Sequence, residues 1–312
     1  MNCRSLVIHH SNIRHFFPPS PPVPPMNSDH LLSLAALASF ALAGAAAIAG
    51  FWVGAFKRRG WQFVLAGAGA LFKTLAIGAA CRSSDKHFFN SSSEIFGLMA
   101  WSLGLSYLLA LAVSQARSLG ALVLPLIVLL LAVSLFSARG QVPLNVPNTS
   151  LFAVHILCAF LGYGLFLSAC GASVLYLEQA SLLKRKIFGS LFQDLPGLQE
   201  LERLEMLCSR LGLLLFTAAL STGALLVKTQ SLGFWLEPKT LAAEITWLIF
   251  AVLVAGRALR WLNGRSAAKV ALAGAGLVLL TFALAHPLAQ PLEKSAVQST
   301  DRTSAHSAER AP

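Results

Sequence analysis

The sequence predicts an all-α, polytopic integral membrane protein of about eight transmembrane helices. Three observations carry this expectation. Of 312 residues, 56% are hydrophobic and only 12% are charged, with a mean hydropathy of +0.67, whereas soluble domains carry about 25% charge. The apolar runs stay unbroken for about 20 residues, enough at about 1.5 Å per residue to cross a hydrocarbon core of about 30 Å. They also lack the period-two alternation of a transmembrane barrel. A soluble globular enzyme, a disordered chain, a collagen and a disulfide scaffold are thereby excluded.

Residues 1–29 form a Pro/His-rich leader whose first 25 residues end in PPSPPVPP, expected to be disordered because dense proline prevents helix formation; Met26 offers an alternative start of translation. His9, His10 and His15 could bind metal, but a solvated leader is the commoner state of such a segment. Apolar runs follow at 31–56, 61–81, 94–114 and 118–137, making an N-terminal four-helix membrane part over 30–140. Pro125 inside the fourth is expected to kink the helix without ending it, since neighbouring helices can satisfy the freed backbone groups. The runs at 151–178, 206–228, 240–262 and 266–286 make a second membrane domain over 150–290, and the polar tail 291–312 is expected to be disordered. Between the fifth and sixth runs lies LFQDLPGLQELERLEM, where Leu195, Leu198, Leu201 and Leu204 recur every three residues. That spacing predicts a short amphipathic helix lying along the membrane surface. The five cysteines (Cys3, Cys81, Cys158, Cys170 and Cys208) form no C-x-x-C pair, which excludes a dithiol motif and a c-type haem attachment site.

The net charge of +11 and pI of 9.9 would suit nucleic acid in a soluble protein. In a membrane chain, basic residues set orientation, so the bilayer is the expected partner and nucleic acid is not. Lys57, Arg58 and Arg59 lie between the first two spans, and Arg117 between the third and fourth. Lys184, Arg185, Lys186 and Arg203 follow the fifth, and Arg257, Arg260 and Arg265 follow the seventh. Positive-inside logic places these loops in the cytoplasm and both termini outside.

This topology sorts the histidines. His155 opens the fifth span, His286 closes the eighth, and His87 lies in the loop between the second and third, all at the outer surface. Neutral imidazole is a common ligand of metals and of haem iron, and two facing histidines in an apolar cleft suit a low-spin haem. The outer loop KTQSLGFWLEPKT offers Phe234 and Trp235 as flat partners for a porphyrin or as belt residues, before Glu237, Pro238 and Lys239 turn the chain into the seventh span. Lys73 stands inside the second span, where a central lysine costs about 2.5–3.5 kcal/mol. It could contact a haem propionate, meet a buried acid such as Glu244, or snorkel outward. Tyr163, flanked by Gly162 and Gly164, marks close helix packing.

Over about residues 85–286 these motifs, in this order, resemble the cytochrome c assembly family, in its CcsA/HemX-like group of haem-handling membrane proteins. VHILCAFLGYGLFLSACGASVLYLEQ is similar to the family helix that opens with a haem-ligating histidine, a role that falls on His155. LPGLQELERLEMLCSRLGLLLFTAALSTGALL resembles the P-x-L loop and the following Ser/Thr-Gly helix. FWLEPKTLAAEITWLIFAVLVAGR resembles the tryptophan-rich loop and next helix, with Trp235, Glu237, Pro238, Lys239, Thr246 and Trp247 in the matching places and Glu237 standing for the usual Asp. HFFNSSSEIFGLMAW matches an outer segment through Asn90, Glu94 and Trp101.

The resemblance implies binding and presentation of b-type haem near the outer face in cytochrome c biogenesis, with no bond made by this chain. His155 and His286 would be the axial iron ligands, Phe234 and Trp235 would cover the porphyrin, and Lys239 or Lys73 would offset propionate charge. An apocytochrome and another maturation membrane protein are the implied partners. Thioether formation would draw on the apocytochrome's reduced thiols, so a separate reductant is implied. Two alternatives stand beside this reading: a HemX-like scaffold or regulator that transfers no haem, and a transporter of haem or a small solute, which would predict inverted repeats.

Overall fold

The computed structural model describes residues 28–52, 59–83, 91–114, 118–137, 149–186, 195–226 and 237–285. Among them are eight α-helices and no strand: α1 (Ser28–Trp52), α2 (Arg59–Ser83), α3 (Ser92–Val113), α4 (Leu119–Phe136), α5 (Thr149–Arg185), α6 (Leu198–Leu226), α7 (Pro238–Ala258) and α8 (Gly264–Ala285). The fold is all-α. Seven helices, α1 to α7, are long and apolar enough to cross a membrane. The eighth sits against α5 and α7 and buries Ala267, Ala268, Ala271, Ala275 and Val278 completely or nearly so.

Local chemistry fixes the helix ends. Ser91 and Glu94 form a reciprocal capping box at α3, the Ser91 hydroxyl accepting from the Glu94 N–H at 3.3 Å and the Glu94 carboxylate accepting from the Ser91 N–H at 3.2 Å. α4 runs through Pro125 without ending. α7 closes with Arg260 in the left-handed region (φ 61°) and the N–H groups of Trp261 and Leu262 both bonded to the Gly256 carbonyl. Asn263 then caps α8 through the Ser266 N–H at 2.9 Å, making α7 and α8 a tight hairpin.

One expectation needs correction. The leucines at spacing three belong to no separate surface helix. From Leu198 the segment is the first part of α6, a single helix of 29 residues. Leu201 and Leu204 are fully buried, and Leu201 packs with Tyr176, Ala180 and Ala268. The cause is the length of α5, which runs 37 residues, about 55 Å against a core of about 30 Å. Its overhang supplies an apolar wall that claims the leucines before the bilayer surface can.

The antiparallel pair α5–α6 is the most extensive contact; α3 packs on α5 and joins the two halves, and α1 packs on α2 and α4. Small residues permit this closeness. A Cβ on Gly164 would lie 2.8 Å from the Ser102 backbone, and Gly162 meets Phe216 and Gly212. Ser106 seals the same seam by bonding the Gly164 carbonyl at 3.0 Å and Ser168 at 2.7 Å. Below Tyr163, Phe216 and Phe166 pack edge on, and Phe166 stacks on Phe250 at 3.7 Å. Tyr163 and its flanking glycines thus sit in tight packing, as their spacing predicts.

Candidate functional site

His155, the seventh residue of α5, is half-buried against α6. Its Nδ1 lies 2.7 Å from the Ala219 carbonyl oxygen. A carbonyl can only accept, so Nδ1 carries the proton and donates it, and in the neutral imidazole Nε2 keeps its lone pair. This is the arrangement in which a histidine is held ready as a ligand, one ring nitrogen tied to the backbone and the other open. Gly223 makes the seat possible: a Cβ there would come within 2.9 Å of the ring's Cε1 and 3.1 Å of Nδ1. Thr222 donates to the Ala218 and Ala219 carbonyls at 2.8 and 2.9 Å. The Ala219 carbonyl and Gly223 are therefore the seat of the imidazole, a role that their sequence alone does not show.

The helices around His155 converge in register. On the other flank of α6, Trp247 of α7 donates from Nε1 to the Thr217 hydroxyl at 2.8 Å. Tyr163 shares a side-chain hydrogen bond with Thr281 of α8, and at the far end Arg265 reaches the Ala180 carbonyl at 3.3 Å. α5 and α8 are thus antiparallel, and the N-terminal end of α5 shares one end of the bundle with the C-terminal end of α8. Ala285 lies one turn beyond Thr281. Glu237 is the N-cap of α7, with Pro238 in the first helical position, and it opens that helix at the same end.

Of the other expected site residues, His286, His87, Phe234 and Trp235 lie outside the described residues, as does the side chain of Lys239. Lys73 goes elsewhere. It is 92% buried by its 8% exposure, and Nζ donates to Ser33 at 3.2 Å, resting against Gly97. A cavity of about 170 Å3 beside it is lined by α1–α4 residues, among them Asp29, Ser33, Glu94 and Ser134. Among the described residues, none that contacts His155 lines that cavity, and there the two polar centres are separate. Glu244 is not among the described lining residues either; the described acids that line the cavity are Asp29 and Glu94. Ser93 and Ser134 lock the wall, each hydroxyl donating to the other's carbonyl at 2.6 Å.

Residues 91–286, well over half of the chain, match the family described as Cytochrome C assembly protein. The chain belongs to the cytochrome c assembly protein family. Family membership supports a role in cytochrome c biogenesis for this multi-pass membrane protein. The match begins at the capping serine of α3 and ends one residue past α8, so it takes in the seam between α3 and α5 and the whole seat of His155. Protein HemX of Bacillus subtilis (strain 168) is a similar protein, 28% identical over 122 residues, which cover 38% of this chain and 44% of that protein. The chain thus matches less than half the length of that relative. No solved structure matches.

Proposed function

We propose that this family member binds b-type haem at the extracytoplasmic end of α5–α8 and holds it for cytochrome c maturation. The observation that carries the reading is the His155 seat, in which Nδ1 donates to the Ala219 carbonyl and Nε2 remains available to iron. A half-buried ring on an apolar helix also suits a porphyrin, whose faces need aliphatic and aromatic walls.

In this reading His155 supplies one axial nitrogen and His286, immediately after α8, the second. Phe234 and Trp235 cover the porphyrin from the loop joining α6 to α7. Lys239, beside the Glu237-Pro238 start of α7, offsets propionate charge, and His87 lies in the loop before α3 on the same side. Haem is cargo here: the chain binds and orients it, and the apocytochrome supplies the thiols. Both termini lie outside the plasma membrane of a bacterium, which puts the basic ends of α5 and α7 in the cytoplasm.

The test is a reduced-minus-oxidised spectrum of protein purified in detergent from haem-replete cells, with His155→Ala beside the wild type. A Soret band that His155→Ala removes is the expected result. Wild-type protein without a band overturns haem binding, and a band unchanged in the variant overturns the assignment of His155.

A further inference from the structure

The opposite end of the bundle carries a groove that the haem site does not use. Two adjoining hollows of about 400 and 410 Å3 run between the last turn of α3 and the first half of α6, sharing Val113, Gln199 and Arg203. Met206, Leu207 and Arg210 line one of them, and Glu200 lines the other. Gln199, Arg203, Leu207 and Arg210 follow at four, four and three residues, which puts them on one stripe of α6. Arg257 of α7 also reaches the groove, but it is taken by Glu202 at 2.8 Å. Arg203 and Arg210 are exposed and make no ion pair among the described residues.

Depth decides what can lie there. Arg210 is 16 residues from the end of α6 at Leu226, about 24 Å, and Arg203 is 23 residues away, about 35 Å. With that helix end at one edge of a core of about 30 Å, the two guanidinium groups bracket the other edge. By the same rise Met206 and Leu207 lie about 30 and about 28 Å from that end, between the two arginines, so guanidinium groups and apolar lining share the edge where a phosphate meets its acyl chains. An exposed arginine just inside that edge is costly without an anion, and guanidinium matches phosphate with paired N–H donors. The same end holds Lys184, Arg185, Arg260, Arg265 and Lys269, so its field attracts anionic lipid generally.

We propose that this groove is a binding site for one anionic phospholipid, its phosphate on Arg203 and Arg210 and an acyl chain along Val113, Met206 and Leu207. The test uses the full chain in nanodiscs containing equal phosphatidylglycerol and phosphatidylcholine, extracted gently and weighed by native mass spectrometry. Wild-type protein is expected to retain one phosphatidylglycerol in preference to phosphatidylcholine by about tenfold, and Arg203→Gln with Arg210→Gln to bring that ratio near one. A preference absent from the wild type, or surviving the double substitution, overturns the proposal. Should the double variant fail to fold, Leu207→Trp fills the groove and leaves both charges: lost retention supports the site, and unchanged retention overturns it. Displacement of the lipid by excess inorganic phosphate would assign the groove to a free anion and overturn the lipid reading.

Discussion

Lys73 and His155 are both polar residues within apolar helices, and the protein treats them in opposite ways. Lys73 is turned into a polar cavity among α1–α4, bonded to Ser33 and ringed by serines and two carboxylates. His155 is fixed through one nitrogen to a helix backbone that has little else to offer it, and its second nitrogen is left over. In a membrane an ionisable group must be partnered or put to use. The first arrangement gives the charge a polar lining within the bundle; the second leaves one ring nitrogen over, and that asymmetry is why the functional reading rests on His155.

The sharpest way to break the comparison is to exchange the losses. His155→Ala is expected to abolish the haem absorbance, whereas Lys73→Met is expected to leave the spectrum intact and lower the melting temperature. A spectrum lost in Lys73→Met would merge the two centres. Next in size is the seam that holds the halves together. Gly164→Val would drive a side chain into the Ser102 backbone, and overpacking against backbone should cost about 3 kcal/mol, read as a fall in the unfolding midpoint in detergent. A wild-type midpoint would show that α3 and α5 can part without penalty.

Gly223→Ala probes the seat without touching the ligand. Its new methyl group meets the imidazole at about 3 Å, so the ring must tilt and the Ala219 bond must lengthen. Haem affinity should fall about tenfold, the scale of a lost supporting contact around a ligand, measured by titration of apo-protein. An unchanged affinity would mean that the bond to Ala219 does not orient the ring. The smallest effect belongs to Trp247→Phe, which removes the bond to Thr217 but keeps the ring. A loss of about 0.6 kcal/mol is expected, the average for such bonds between membrane helices. A loss several times larger would make α7 a structural support of the His155 seat.

Much of the fold was legible because membrane helices announce themselves by length: every apolar run became a helix, and the close packing at Tyr163 followed from its glycines. The start of α6 misled because Leu198, Leu201 and Leu204 fit a bilayer surface and a helix wall equally well, and only the overhang of α5 decides between them. The partner of His155 could not be read at all. It is a main-chain carbonyl, and no residue type encodes it; the one trace is Gly223, an unremarkable glycine in an apolar helix. The surroundings of Lys73 were hidden for another reason. Asp29, Ser33, Glu94 and Ser134 come from three helices other than its own, and periodicity along one helix cannot say which faces of four will meet. Topology had already set His155 among the outer-surface histidines, and the family likeness added to it the ligand role proposed above.

The unbroken length of α5 has a mechanical consequence. His155 and Arg185 ride on one stiff shaft, 30 residues or about 45 Å apart. Rocking that shaft by about five degrees around its middle would swing each tip by about 2 Å, roughly the length of an iron–nitrogen bond. Anything that grips the shaft at its cationic tip on one side of the bilayer therefore has leverage over the imidazole on the other, with no loop in between to absorb the stroke.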